Sequence, residues 1–92
     1  MQHLKEWKKV FKALGNEIRL QILWLLDREA ELSVKVISGR LNRGVKIVSK
    51  HLGILSNIGF IQGHGKLGSV YYQLHPDLRK EVKYIVAKYI RR

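Results

Sequence analysis

The chain has 92 residues, 46% of them hydrophobic, and its 18 Lys and Arg outnumber its 7 Asp and Glu to give a formal net charge of +11. This length predicts a single domain, residues 1–92, with a small hydrophobic core. So large a cationic excess predicts a polyanionic partner, either nucleic acid or an anionic membrane surface. Because the chain has no cysteine, disulfides, thiolate metal ligands and thiol redox switches are excluded.

Nucleic acid fits the sequence better than a membrane does. No run approaches the roughly 18 apolar residues of a spanning helix, and charges interrupt the first apolar positions where a cleavable signal would lie. Paired catalytic carboxylates, a phosphate-binding glycine loop and a nucleophile elbow are also missing from the sequence. We therefore expect a cytoplasmic protein that is not an enzyme, needs no cofactor and binds double-stranded DNA rather than a membrane.

Two helices are predicted at the start of the chain. Apolar residues recur there at helical spacing, at Leu4, Trp7, Phe11 and Leu14. This pattern predicts a first helix that ends at Gly15. Asn16 is a good N-cap and Glu17 suits a first turn, which predicts a second helix over about residues 17–27. This helix is apolar nearly all round, so we expect it to be the buried centre of the domain.

A helix-turn-helix is predicted next. Ser33 can cap a third helix with an apolar face formed by Val34, Ile37 and Leu41. Residues 42–44, which include a glycine, then form a turn into a fourth helix over residues 44–55. Two helices joined by so short a turn form a helix-turn-helix, whose second helix lies in the DNA major groove.

The fourth helix has an apolar back and a cationic front. At 100° per residue the back contains Val48, Leu52 and Leu55, and the front contains Lys46, Ser49, Lys50 and Gly53. The front offers two cations, a hydroxyl group and no acid, which suits phosphates and base edges. We predict that it docks in a major groove. A merely solvated face is the alternative, although such a face normally mixes both signs of charge.

Two strands are predicted after Gly59, over residues 60–62 and 69–74, because these segments are β-branched and aromatic. The glycine-rich, basic segment 63–68 between them is expected to be a flexible hairpin tip. Such a hairpin beside a helix-turn-helix is a wing. By strand alternation, Tyr72 should face the core and Tyr71 the other side.

Further DNA contacts are predicted around the fourth helix. Arg43 in the turn suits the phosphate backbone, and Val45 either touches a thymine methyl group or completes the core stripe. His64 and Lys66 in the wing are expected to contact phosphate or the minor groove, with a solvated loop as the alternative. The candidate DNA-binding residues are therefore Arg43, Val45, Lys46, Ser49, Lys50, His64 and Lys66. His51, on the flank, is predicted to pack and hydrogen-bond between helices, with a phosphate contact as the alternative.

A last helix is predicted to begin at residues 75–77, with Pro76 in the first helical position and Asp77 in the first turn. The first and last helices together present more apolar surface than one small core covers. This predicts a homodimer interface whose two-fold axis pairs two recognition helices with two DNA half-sites. Both stripes folding back onto the monomer core is the alternative. The candidate interface residues are Leu4, Trp7, Phe11, Leu78, Val82, Ile85 and Tyr89.

The predicted fold is mainly α (α+β): a winged helix-turn-helix with five helices and a two-stranded β-wing. Three segments, in this order, resemble the ArsR/SmtB family of winged helix repressors. Residues 11–23, Phe-Lys-Ala-Leu-Gly-Asn-Glu-Ile-Arg-Leu-Gln-Ile-Leu, are similar to its opening signature, and residues 48–55, Val-Ser-Lys-His-Leu-Gly-Ile-Leu, to its recognition helix. Residues 70–74 resemble its second wing strand. The resemblance implies a homodimeric repressor that releases its operator when a ligand, often a metal ion, binds.

The chain departs from the family's cysteine metal box, Glu-Leu-Cys-Val-Cys-x-Leu, where residues 31–37 read Glu-Leu-Ser-Val-Lys-Val-Ile. Ser33 and Lys35 replace the thiolates, and an ammonium group does not bind a divalent cation at neutral pH. We therefore predict no metal site there. Constitutive repression, an unknown small-molecule effector at the dimer interface and control by another protein remain open. A non-specific architectural DNA-binding protein and a winged helix protein–protein assembly module are the alternative functions.

Overall fold

A computed structural model describes residues 3–90, and within them it forms five helices and three strands. These are α1 (His3–Leu14), α2 (Glu17–Arg28), β1 (Leu32–Ser33), α3 (Val34–Leu41), α4 (Val45–Asn57), β2 (Ile61–Lys66), β3 (Ser69–Leu74) and α5 (Lys80–Tyr89). The winged helix-turn-helix predicted from the sequence is confirmed. No helix in this part of the chain is both long enough and apolar enough to cross a membrane.

The helix starts follow the caps predicted from the sequence. The Asn16 side chain accepts a hydrogen bond of 3.0 Å from the backbone N–H of Arg19, which starts α2. Ser33 Oγ likewise accepts from the backbone N–H of Val36 at 3.2 Å and starts α3. At the end of α3, Asn42 takes a left-handed conformation with φ of 53°, which asparagine tolerates. Local side-chain chemistry therefore fixes both ends of α3.

The hydrophobic core is centred on α2, which packs against α1, α3, α4, α5 and β3. Its Ile22 and Leu23 are completely buried. The predicted back of α4 points into the same core, since Val48, Leu52 and Leu55 are all 0% exposed. Burying this back holds α4 against the domain and leaves its front in solvent.

The sheet has three antiparallel strands in the order β1, β3, β2, one more than the two predicted. Strand β1 is only two residues long and pairs Leu32 with Tyr72, which is too short for a recognisable alternation pattern. The expectation that residues 63–68 form a flexible tip is wrong. Gly63 to Lys66 pair with β3, and only Leu67 and Gly68 form the turn, with φ of 53° and 77°. Two residues at positive φ make a type I′ turn, which lets the strands pair up to the tip.

Gly63 has a packing role in the wing, because it lies opposite Tyr72 and a Cβ atom there would approach Tyr72 Cε1 to 2.8 Å. Gly63→Ala is therefore expected to lower the free energy of unfolding by about 1–3 kcal/mol, since Tyr72 also packs against the core. Urea unfolding measures this effect. Gly65→Ala, in the same strand with open space around it, is the control and should change stability by less than about 0.5 kcal/mol. Equal effects of the two substitutions would contradict the packing role.

Helix α5 begins at Lys80, later than the start predicted at residues 75–77. Residues 75–78 form a turn in which the Leu78 N–H donates to the His75 carbonyl oxygen at 3.0 Å. The Asp77 N–H donates to His75 Nδ1, also at 3.0 Å. Proline fits the second position of such a turn as well as the first turn of a helix, so Pro76 alone did not separate the two structures.

Candidate nucleic-acid interface

One continuous stretch of the chain contains no carboxylate side chain. Residues 32–76 carry six Lys or Arg and no Asp or Glu, and they include α3, α4 and both wing strands. Every acidic side chain of the protein therefore lies outside the segment that builds the helix-turn-helix and the wing. An anionic ligand approaching α4 within this segment meets cations, hydroxyl groups and amides.

The front of α4 is solvent-exposed along its length, at Lys46, Ser49, Lys50 and Gly53. Arg43, in the turn before the helix, is exposed as well, and Val45 is 47% exposed. Val45 therefore does not complete the core stripe. Among residues 3–90, no carboxylate lies within 4.0 Å of the Arg43, Lys46 or Lys50 cation. Their charge is available to an external anion.

His51 lies on the flank of α4 and is only 8% exposed. Its Nδ1 is 3.1 Å from an Nη1 of Arg19. Because a guanidinium group only donates, Nδ1 accepts this hydrogen bond and His51 is neutral with its proton on Nε2. Arg19 also donates through Nε to the Ala13 carbonyl at 2.7 Å and through Nη2 to the Lys12 carbonyl at 3.0 Å. Arg19 thus joins the end of α1 to α4, and His51 packs between helices as predicted.

This contact makes the stability of the protein depend on pH. Burial, and then the positive charges of Arg19 and Lys50, lower the pKa of His51 below its ordinary value of 6.5. A folded-state pKa lower than the unfolded one means that stability is fully present above about pH 6.5 and is lost as the pH falls toward the folded-state pKa.

The difference in unfolding free energy between pH 7 and pH 5 is therefore expected to shrink in His51→Gln, whose amide oxygen accepts from Arg19 without titrating. Chemical denaturation at the two pH values measures this difference. His3→Gln, on an exposed residue of α1, is the matched control. An undiminished pH dependence in His51→Gln would contradict the assigned contact.

The wing has one face on which charged and aromatic side chains are ordered. The His64 and Tyr71 rings stack with centroids 6.4 Å apart, and Lys66 Nζ lies 5.3 Å from the centre of the Tyr71 ring. Glu31, just before β1, contacts both of these side chains, with Oε2 3.0 Å from His64 Nε2 and Oε1 2.6 Å from Lys66 Nζ. The wing residues His64 and Lys66 therefore lie on strand β2 and share one carboxylate partner in the single protomer.

Sequence reasoning missed Glu31, because its contact depends on the pairing of the two-residue strand β1 with β3. Strand alternation then places Glu31 on the same face as Tyr71. The hydrogen bond from Lys66 is the main cause that holds the pKa of Glu31 below its ordinary value, with His64 adding to it and desolvation opposing it. At neutral pH the Glu31 carboxylate is thus ionised and competes with any external anion for Lys66.

A second surface, on α1 and α5, exposes large apolar side chains. Leu4 is 59% exposed, Phe11 61% and Tyr89 65%, and the Trp7 and Phe11 rings lie 5.7 Å apart. Three other proposed interface residues are less exposed. Trp7, Leu78 and Ile85 are half-buried and pack against the core.

The assignment of Val82 to the interface is wrong, because its side chain is 0% exposed and belongs to the core of the single protomer. Tyr84, which sequence reasoning omitted, is 55% exposed and makes an edge-to-face contact with Tyr89, their centroids 6.2 Å apart. Tyr84 lies two residues from Val82 and so on the other side of the helix. The apolar stripe of α5 is thus divided between core and surface.

The structure brings together no group of three His, Asp or Glu side chains within residues 3–90 that could hold a metal ion. Ser33, at one thiolate position of the metal box, is buried and its Oγ caps α3. The exposed Lys35 occupies the other thiolate position. Ser33 therefore serves as a helix cap and Lys35 lies in solvent, so the two side chains do not form a common ligand site.

A helix-turn-helix, an exposed cationic helix front and an adjacent wing define the class of winged helix-turn-helix proteins. No family model matches the chain. The chain is 35% identical over 69 residues to the arsenic resistance transcriptional regulator ArsR1 of Pseudomonas putida. The aligned segment covers 75% of this chain and 54% of that protein. The chain therefore spans little more than half the length of this curated relative.

Solved structures match over more of their length. HlyU from Vibrio cholerae is 34% identical, with a TM-score of 0.79 over 90% of this chain and 86% of that chain. Mb0332 from Mycobacterium bovis, described as a homodimeric winged helix-turn-helix DNA-binding domain, is 28% identical, with a TM-score of 0.77 over 91% of this chain and 74% of that chain. The chain belongs to the ArsR/SmtB family of winged helix transcriptional regulators.

Proposed function

We propose that this protein is a homodimeric, sequence-specific DNA-binding repressor of transcription. The single observation that carries this proposal is the front of α4, where Lys46, Ser49 and Lys50 are exposed on a helix whose back is completely buried. A helix packed in this way holds its polar side chains in fixed positions relative to the domain, as contact with base edges in the major groove requires. The similarity to ArsR1 and to the Mb0332 DNA-binding domain supports the same role.

The proposed roles of the contact residues follow from their chemistry. Arg43, Lys46 and Lys50 bind phosphates or guanine edges, and Ser49 donates to a phosphate or a base. Val45, exposed at the start of α4, contacts a thymine methyl group. His64 and Lys66 reach the phosphate backbone or the minor groove from the wing, after exchanging the Glu31 carboxylate for phosphate.

The proposed dimer joins the exposed apolar surface of α1 and α5 to its symmetry mate. Leu4, Phe11, Tyr84 and Tyr89 are each more than half exposed in the single protomer, and a two-fold interface buries such side chains on both copies at once. Trp7, Leu78 and Ile85 support this surface from below. Two-fold symmetry would then set two α4 helices against half-sites about 34–36 Å apart.

Hydroxyl-radical footprinting on a duplex selected from random sequences tests the proposal. The expected result is two symmetric protected segments whose centres are about 10 base pairs, or a multiple of that spacing, apart. The net charge of +11 favours one competing function, an architectural protein that coats DNA. Uniform protection without a symmetric pattern would establish that competing function and contradict the repressor.

Replacing Glu31 with glutamine is expected to tighten binding to every duplex by about two- to fivefold, because Lys66 no longer has to leave a carboxylate before it meets phosphate. Lys66→Ala should weaken binding to every duplex and lower the salt slope by about one. Fluorescence anisotropy over a salt series measures both effects. Glu81→Gln, an exposed carboxylate on α5, is the matched control. Weaker binding by Glu31→Gln would mean that Glu31 orients the wing for DNA instead of competing with it.

A further inference from the structure

A groove of about 650 Å³ lies between the end of α1, the start of α2 and the C-terminal half of α4. Its lining includes Lys9, Lys12 and Ala13 from α1, and Ile54 and Asn57 from α4, followed by Ile58. This volume falls in the usual range for sites that bind small organic molecules. The groove thus joins a helix of the apolar surface to the proposed recognition helix.

The side chains of the groove combine apolar surface with positive charge. Ala13 is buried and Ile54 and Ile58 are half-buried, whereas Lys9 and Lys12 are exposed. None of the lining residues is acidic. Among residues 3–90, no carboxylate lies within 4.0 Å of the ammonium group of Lys9 or Lys12. A ligand that complements this lining has an anionic group and an apolar body.

The groove is badly placed for reading DNA bases. Helix-turn-helix proteins contact base edges through the N-terminal residues of the recognition helix. Asn57 ends α4, eleven residues after Lys46 and so roughly 16 Å further along the helix. Phosphates also gain nothing from the apolar Ile54 and Ile58. The lining therefore favours a small molecule over the DNA backbone.

The groove also stays open in the proposed dimer. Ala13, which lines it, and Phe11, on the exposed apolar surface, are two residues apart in α1 and lie on roughly opposite sides of that helix. Covering Phe11 with a second copy of the chain leaves the Ala13 side accessible.

We propose that this groove binds an amphipathic organic anion. Its carboxylate lies between Lys9 and Lys12, its apolar body packs on Ile54 and Ile58, and Asn57 hydrogen-bonds a further polar group. Arg19 lines the same groove and connects the α1 carbonyls to His51 of α4, so the ligand touches the contact that sets α4 against α1. By disturbing this contact, the bound ligand changes the position of α4 and weakens operator binding. This regulatory part rests on the proposed function, whereas the binding site itself does not.

Binding is tested without DNA, by following backbone amide shifts of the ¹⁵N-labelled protein in NMR titrations with octanoate, octanamide and acetate. Octanoate is expected to bind saturably with a Kd of about 1 mM or tighter, and its shifts should centre on the residues that line the groove. Octanamide lacks the charge and acetate lacks the apolar body, so both should bind about tenfold more weakly. Equal affinity for octanoate and octanamide, or shifts centred elsewhere, would overturn the site.

Substitutions in α1 and α4 test which side chains contribute to octanoate binding. Lys9→Gln combined with Lys12→Gln should weaken octanoate binding about tenfold or more, and Asn57→Ala should weaken it less. Lys5→Gln with Lys8→Gln removes the same charge from exposed positions on α1 outside the groove and is the matched control. Equal losses in the two double variants would reduce the effect to net charge and overturn the proposal.

Measuring operator affinity with and without octanoate tests the regulatory part separately from ligand binding. Saturating octanoate should weaken operator binding by about fivefold or more, and the Lys9 and Lys12 double variant should abolish this effect. Octanoate binding that leaves operator affinity unchanged would overturn the regulatory part. If octanoate leaves the groove residues unshifted and that double variant loses more affinity for all duplexes than the Lys5 and Lys8 double variant does, the groove is a phosphate contact and the small-molecule site is wrong.

Discussion

Replacing Lys46 and Lys50 together with alanine is expected to weaken binding to the selected operator by about 100-fold, since each lost phosphate or base contact costs about 1–3 kcal/mol. Both side chains are exposed on α4, and no carboxylate of residues 3–90 lies within 4.0 Å of either cation. No ion pair within the protein therefore competes with DNA for these two charges. Fluorescence anisotropy with a labelled duplex measures the loss. Stability should not change, because neither side chain packs in the core.

The matched control is Lys5→Ala combined with Lys83→Ala, which removes the same charge from exposed sites on α1 and α5. This control should reduce affinity by about threefold at most, through the general electrostatic attraction alone. If the two double variants lose affinity equally, α4 does not lie in the groove and the docking assignment is wrong.

Phe11→Glu is expected to raise the dissociation constant of the dimer by about 100-fold or more, because the interface would then bury an unpaired carboxylate on each copy. Phe11 is 61% exposed in the protomer, so the folded monomer should persist. Operator affinity should fall together with dimerisation, since a monomer engages only one half-site. Sedimentation velocity over a range of concentrations measures the change.

Leu67→Glu provides the comparison, because Leu67 is 90% exposed at the wing tip and undergoes the same apolar-to-acidic change. Its sedimentation behaviour should match that of the unaltered protein. A Phe11→Glu protein that remains a dimer would place the interface away from α1 and reject this part of the account.

The features that the sequence predicted well depend on short-range chemistry. The caps at Asn16 and Ser33 and the two faces of α4 each follow from residues within a few positions of one another. The burial of His51 against neighbouring helices also follows from its place on the flank of a two-faced helix. Periodicity and capping are local properties, so one sequence is enough to predict them.

The features that the sequence did not predict depend on contacts between distant segments. Glu31 meets Lys66 only because β1 pairs with β3, and a strand of two residues leaves no periodic signal. Val82 and Tyr84 both lie on an apolar helix, and only the position of α5 against α2 decides which of them is buried. Pro76 fits both a turn and the first turn of a helix, so it does not by itself determine where α5 starts. Tertiary contacts made each of these choices.

Sequence-specific recognition by the front of α4 is the central claim, and the affinity for a selected palindromic duplex, compared with unselected DNA across a salt series, tests it most directly. A preference of about a thousandfold or more for the selected site is expected, retained as salt rises, with two protomers per duplex. Tight binding that falls steeply with salt and discriminates little between sequences would contradict it, and would make the protein an architectural DNA-binding protein with a winged helix fold.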